Sequence, residues 1–235
     1  RATQYRGYAD EWQRIWNLKL REHKIDIERA MLFGMKGSQS GIQYSDGIVG
    51  HIIKNGGTPS DGSIGPYLEG SPYLATYASS ELTYDGLLSA FEVMFDPARG
   101  GSLAKLCLAS LPVVSHFNKL SGFMNNSLSG TQNYNFERAQ GSFGHNVMRI
   151  ETVHGDVSIV KEPLFRNNAS GHMCFVDLDH VSYRPLVGNG INRDTSIQTN
   201  VQGADEDLRK DMILTEAGLE VSIPESHALI NLEGA

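Results

Sequence analysis

The densest set of side chains capable of chemistry lies in "HMCFVDLDH", where His172, Cys174, Asp177, Asp179 and His180 fall close together. Imidazole, thiolate and carboxylate are the donors of zinc sites, and the same groups serve as general acids and bases. Spacing decides what they can do together. In an extended segment the even-numbered His172, Cys174 and His180 tend toward one side and Asp177 and Asp179 toward the other, because successive side chains alternate. One ion cannot easily draw on all five, and zinc would need a second cluster at a matching spacing. The plainer expectation is a strand whose polar groups are hydrogen-bonded or at the surface.

Other patterns point the same way. The chain has no G-x-S-x-G, no G-x-x-x-x-G-K-[ST] and no H-E-x-x-H, so nucleophile elbows, phosphate loops and zinc helices are unsupported. "GGTPSDGSIGP" has glycines but no lysine and no apolar helix start after it, which is a poor phosphate cradle. Cys107 and Cys174 each sit inside an apolar run and are expected to be buried reduced thiols rather than a disulfide or a metal site. Tyr5, Tyr8, Trp12 and Trp16 could stack nucleic-acid bases, yet aromatics at helical spacing are packing residues far more often. No catalytic, cofactor-binding or metal residue is therefore expected, and no cofactor.

Those side chains must be held by a sizeable core, and 235 residues with 40% apolar and 20% charged composition can build one. Formal charge is −7, from 27 acids against 20 bases, which argues against a protein whose work is gripping phosphates. No run of ~18 apolar residues offers a membrane span, and no basic-then-apolar start resembles a secretion signal; a product of the cytoplasm is expected.

Residues 1 to about 33 read as one long helix already under way at Arg1, so an upstream segment is expected. Tyr5, Tyr8, Trp12, Ile15, Leu18, Ile25 and Leu32 mark its apolar stripe, making Trp12 and Ile15 expected core positions. About 30 residues would span ~45 Å, ended by Gly34 and Gly37. Residues 36–80 are Gly-, Ser- and Pro-rich, with "SDGIVGHIIKN" as a short helix. "ELTYDGLLSAFEVMFDPARGG" gives a helix burying Leu82, Leu87, Leu88, Phe91 and Met94 and ending at Asp96-Pro97. "SLAKLCLASLP" reads as a buried strand leading to a helix with Pro112 in its first turn. Residues 121–142 turn polar and Asn-rich, an exposed excursion. Beyond them a two-residue period predicts a hairpin around Gly155-Asp156, one or two strands in "GHMCFVDLDHVSYRPL", and closing strands that complete an antiparallel set. The fold class expected is α+β.

Two short stretches carry a family resemblance. "IDIERAMLFG", with Asp26, Glu28, Arg29, Leu32, Phe33 and Gly34, and "TEAGLEVSIPESHALI", with Thr215, Glu216, Gly218, Leu219, Glu220 and Val221, are similar to segments of tailed-bacteriophage major capsid proteins. Those proteins have the Hong Kong 97-like fold, and the likeness is to a podovirus-associated branch. "DLDHVSYRPL" between them fits the family's order of elements. The resemblance implies a spine helix in a peripheral domain (residues 1–40), a mainly axial domain with parts of the peripheral sheet (41–200) and a return to the peripheral domain (201–235). It implies that the family's N-terminal arm and extended hairpin, which precede the spine, are absent from this chain, and with them any basis for placing a cross-linking lysine.

In function the resemblance implies a non-enzymatic structural protein of the virion, made in the host cytoplasm. Copies would self-assemble as hexamers and pentamers of an icosahedral lattice around double-stranded DNA held without sequence-specific contact. The negative charge suits walls to which DNA does not adhere. Portal and decoration proteins are further candidate partners, and no membrane is involved. The alternatives are an encapsulin-like nanocompartment shell and an uncharacterised α/β enzyme using Asp177, Asp179 and His180 as acid/base groups.

Overall fold

The structure, a computed structural model, describes residues 11–55, 72–126, 136–140, 146–188 and 191–234. In chain order the first elements are α1 (Glu11–Phe33), β1 (Gly37–Gln39), β2 (Ile42–Tyr44), α2 (Ile48–Asn55), β3 (Tyr73–Ala78), α3 (Tyr84–Met94), β4 (Ala104–Ala109) and α4 (Leu111–Asn126). Strands follow: β5 (Phe136–Gln140), β6 (Asn146–Glu151), β7 (Asp156–Lys161), β8 (His172–Val176), β9 (Val181–Pro185), β10 (Val187–Gly188), β11 (Ile191–Asn192), β12 (Ser196–Gln198), β13 (Met212–Leu214), β14 (Ala217–Val221) and β15 (Ala228–Glu233). They form two compact units, Arg1–Ile48 with Tyr183–Glu220 and Val49–Ser182 with Val221–Ala235.

The second unit is built on a seven-stranded sheet in the order β3-β15-β8-β4-β7-β6-β5. The alternation of "AKLCLA" places Cys107 and Ala109 on one face of β4, where Cys107 stands opposite Phe175 on β8 and Ile159 on β7. That face is covered by α3, through Leu87, Ala90, Phe91 and Met94, and by α4, through Val113 and Phe117. The Phe91 ring meets Phe175 edge-on at 6.0 Å and Phe95 at 5.8 Å. Thr83 caps α3 by accepting the Gly86 N–H at 3.4 Å, and Pro112 takes the first turn of α4, where its missing N–H leaves no intrahelical bond unmade.

The expected antiparallel set is corrected: β15 pairs parallel with β3, and β4 parallel with β7, so the sheet is mixed. Parallel neighbours need long crossovers, and the chain between each pair carries helices that provide them. The expected hairpin forms between β6 and β7, antiparallel through Thr152 to Gly155. A Cβ on Gly155 would lie 2.6 Å from both the Leu103 carbonyl and the Phe95 ring, so the turn depends on glycine to let these backbones approach. The polar stretch 121–142 is in part regular: α4 continues to Asn126 and β5 begins at Phe136, while 127–135 and 141–145 lie outside the described residues. Most of the "NGGTPSDGSIGP" loop does too.

The first unit has a different make-up. Alongside α1, about 35 Å long at 1.5 Å per residue, stand four two-stranded ribbons, β1-β2, β10-β11, β12-β13 and β9-β14. Gly34 ends α1, its N–H still bonded to the Ala30 carbonyl at 2.9 Å. Tyr5 and Tyr8 lie outside the described residues. The rest of the expected stripe is not the inward face: Ile15, Leu18 and Ile25 are 41%, 45% and 38% exposed, and only Leu32 is buried. Trp12 of that stripe is half-buried, and with it Trp16, Leu20, His23, Ile27 and Met31. At about 100° per residue that side lies roughly opposite Leu18 and Ile25, with Ile15 between the two. The helix is apolar on two sides, and the side of Leu18 and Ile25 is covered within this unit only at its end, at Leu32. Among the described residues no helix is long and apolar enough to cross a membrane.

Candidate functional site

The partnered side of α1 faces the segment that leads into β13. Trp16 donates from Nε1 to Asp211 Oδ2 at 3.2 Å, His23 Nε2 and Thr215 Oγ1 are 2.8 Å apart, and the Arg209 guanidinium lies 4.6 Å from the Trp12 ring centre. Asp211 also accepts the Asn200 N–H at 3.0 Å. That backbone bond, with help from Trp16 and Arg209, holds its carboxyl below the usual carboxylate range. A groove of about 390 Å³ runs along this seam, with Ile15, Lys19 and Asp26 on its helix wall and Met212 and Ile213 opposite. It is open and mixed in polarity.

Apolar side chains elsewhere in the first unit stand free. Ile42 on β2 is 58% exposed, Leu186 55% and Val187 66%, with Tyr44, Ile197 and Leu208 similarly bare. Among the described residues its buried apolar side chains are Leu32 and Ile48 alone.

The residues of "HMCFVDLDH" are occupied in structural roles in the second unit. His172 Nδ1 and Asn231 Oδ1 are 3.1 Å apart, bridging β8 and β15, and the His172 ring packs edge-on to Phe165 at 6.3 Å. Cys174 is fully buried, as is Cys107, and burial pushes the Cys174 thiol up to about 12. Asp177 caps the turn that follows β8: its carboxylate accepts the N–H of Asp179 at 3.1 Å and that of Ser102 at 2.6 Å. Asp179 and His180 lie in that turn, His180 accepting the Ser222 N–H at its carbonyl. The segment is a short strand and then a turn, so the alternation of a single strand does not extend to His180. Among the described residues no three His, Cys, Asp or Glu side chains form a group that could hold a metal ion.

Sequence reasoning missed the partner of Asp177. Lys105 on β4, with side-chain exposure of 1%, lies 3.7 Å from an Asp177 carboxylate that is 0% exposed. Lys105 also donates to the Ser226 carbonyl at 2.7 Å and sits 5.4 Å from the Phe95 ring centre. Burial lowers the Lys105 ammonium, and Asp177 opposes that shift. Burial also works against charge on Asp177, but the Ser102 and Asp179 N–H groups, with Lys105, outweigh it and hold the carboxyl below its ordinary value. The signal was present in the sequence: Lys105 shares the odd-numbered face of β4 with Cys107 and Ala109, a core face on which a lysine needs a partner.

No curated protein matches the chain. Among solved structures it is similar to a chain described as the asymmetric unit of the bacteriophage PhiM1 mature capsid, with a TM-score of 0.52 and 15% identity. The match covers 96% of this chain and 66% of that one, just under two thirds, and at that identity it bears on the fold. The family model for the SU10 major capsid protein matches residues 1–233. On that match across nearly its whole length, the chain belongs to the SU10 major capsid protein family.

Proposed function

We propose that this chain is the structural subunit of a tailed-phage head, and that copies self-assemble into an icosahedral shell around double-stranded DNA. The single observation that carries the reading is the first unit's apolar surface: Leu18, Ile42, Leu186 and Val187 stand 45% to 66% exposed while, among the described residues, its buried apolar side chains are Leu32 and Ile48 alone. Each such side chain gains about 1.5–3 kcal/mol when fully covered, and the covering that a capsid lattice offers is another copy of the chain. Many modest contacts repeated in a closed lattice sum to a stable object.

In Hong Kong 97-like terms, α1 is the spine, the unit of Arg1–Ile48 with Tyr183–Glu220 is the peripheral domain, and the unit carrying the seven-stranded sheet is the axial domain. On this reading residues 212–220 accompany the spine, and the last strand, β15, belongs to the axial sheet. The role is non-enzymatic: Asp177, Asp179 and His180 act as caps and turn residues, and DNA is enclosed without sequence-specific contact. Hexamers and pentamers are the expected assemblies, with portal and decoration proteins as further partners.

Sedimentation velocity and electron microscopy of the purified protein test the reading. Round particles of uniform diameter are expected. Small particles at every concentration, under conditions where the protein is folded, would contradict it.

A further inference from the structure

We propose that His227 is an acid-sensitive clasp on the turn that feeds β15 into the seven-stranded sheet between β3 and β8. The inference concerns the second unit alone and does not depend on assembly.

The turn Pro224–Ser226 is gripped from three sides. Arg99 Nη1 donates to the Glu225 carbonyl at 3.1 Å, Lys105 Nζ donates to the Ser226 carbonyl, and the Asp177 N–H donates to His227 Nδ1 at 3.1 Å. The last of these bonds fixes the chemistry of the ring. Nδ1 can accept only while it carries no proton, so the neutral ring holds its hydrogen on Nε2. That Nε2 is buried with no hydrogen-bond partner among the described residues, in a side chain only 1% exposed.

A second proton would therefore have two local consequences. It removes the acceptor that the Asp177 N–H uses among the described residues, and it places a buried cation beside the Lys105 ammonium. The titratable groups around His227 are Lys105 from β4, Asp177 at the end of β8, His180 in the following turn and His51 on α2. Asp177 alone among them favours the imidazolium, and its carboxylate is already engaged by Ser102, Asp179 and Lys105. Burial, then Lys105, lowers the His227 ring from 6.5 to about 4.

The direction of the pH effect follows. Above pH 6.5 the ring is neutral whether the turn is closed or open, and the clasp is intact. As pH falls through 6.5 toward 4 the opened turn takes up a proton that the closed turn refuses, so opening becomes more favourable. At pH 4.5 the shift from 6.5 to about 4 corresponds to a rise in the opening equilibrium on the order of 100-fold.

Hydrogen exchange read by mass spectrometry on the folded protein tests this, with protection corrected for the intrinsic pH dependence of exchange. Between pH 7 and 4.5, peptides covering Asp177 and β15 should lose protection while those over α3 keep theirs. His227→Asn, which retains a side-chain acceptor but does not titrate in this range, should lose several-fold less. Equal loss in the variant and the wild type, or no loss in the wild type, would overturn the clasp. Should His227→Asn not fold, exchange of the imidazole C2 hydrogen in the wild type reads the ring directly. A midpoint well below 6.5 is expected, and one at or above 6.5 would overturn the proposal.

Discussion

Phe91, Phe117, Phe175 and Ile230 in the sheet-bearing unit are at most 1% exposed, whereas Ile15, Leu18, Ile42 and Leu186 in the unit of α1 stand 41% to 58% exposed. Both groups are large apolar side chains on regular elements or beside them, so composition does not explain the difference. What differs is architecture. A seven-stranded sheet with two helices across one face makes its own dry interior. A single helix beside two-stranded ribbons cannot, because each ribbon is too narrow to cover a face and isolated hairpins are marginal in water. One unit makes its own dry interior, and the other leaves much of its apolar surface uncovered.

The sharpest way to break this comparison is to cut into the core that the first group forms. Phe175→Ala or Phe91→Ala should destabilise the folded chain by about 3–5 kcal/mol in denaturant unfolding, the cost of removing a buried ring and leaving its cavity. A loss under ~1 kcal/mol would mean that the sheet unit is not the stable partner. Gly155→Ala comes next, since its Cβ would press on the Leu103 carbonyl and the Phe95 ring at 2.6 Å. Overpacking of this kind costs about 1–3 kcal/mol, visible as a lower denaturation midpoint. Thr83→Ala removes the cap from α3 and should cost about 1 kcal/mol by the same measurement, with Thr83→Ser restoring most of it.

At the small end lies the other side of the comparison. Leu18→Ala or Ile25→Ala should change the stability of the unassembled chain by less than about 1 kcal/mol, because some two fifths of each residue is already exposed, at 45% and 38%. A core-sized loss at either position would move α1 into the same class as α3 and remove the contrast.

The same division explains what was legible in the sequence. Strand β4, helix α4 with Pro112 and the β6-β7 hairpin were readable because each depends on local pattern and turn chemistry. The face of α1 was not, because Leu18 and Ile25 and the opposite set Trp16, Leu20, Ile27 and Met31 all recur at helical steps. Periodicity marks where apolar residues are, but the neighbour that covers them comes from residues near 211–215. The mixed strand order was equally out of reach, since inserting β15 between β3 and β8 joins segments more than 50 residues apart. Which apolar side chains of the first unit stay uncovered was likewise beyond periodicity, and the structure identifies Leu18, Ile42, Leu186 and Val187 among them. The Lys105–Asp177 pair was out of reach because its members lie on β4 and just after β8 and meet only once those strands pair.

The contact surface we propose on α1 is the side that carries Leu18 and Ile25. Its most direct test is electron microscopy of the wild type beside the double variant Leu18→Asp, Ile25→Asp, at concentrations matched and with equal melting temperatures verified first. Closed uniform shells from the wild type and only small particles from the variant are predicted. Shells of the same size and yield from both would contradict it.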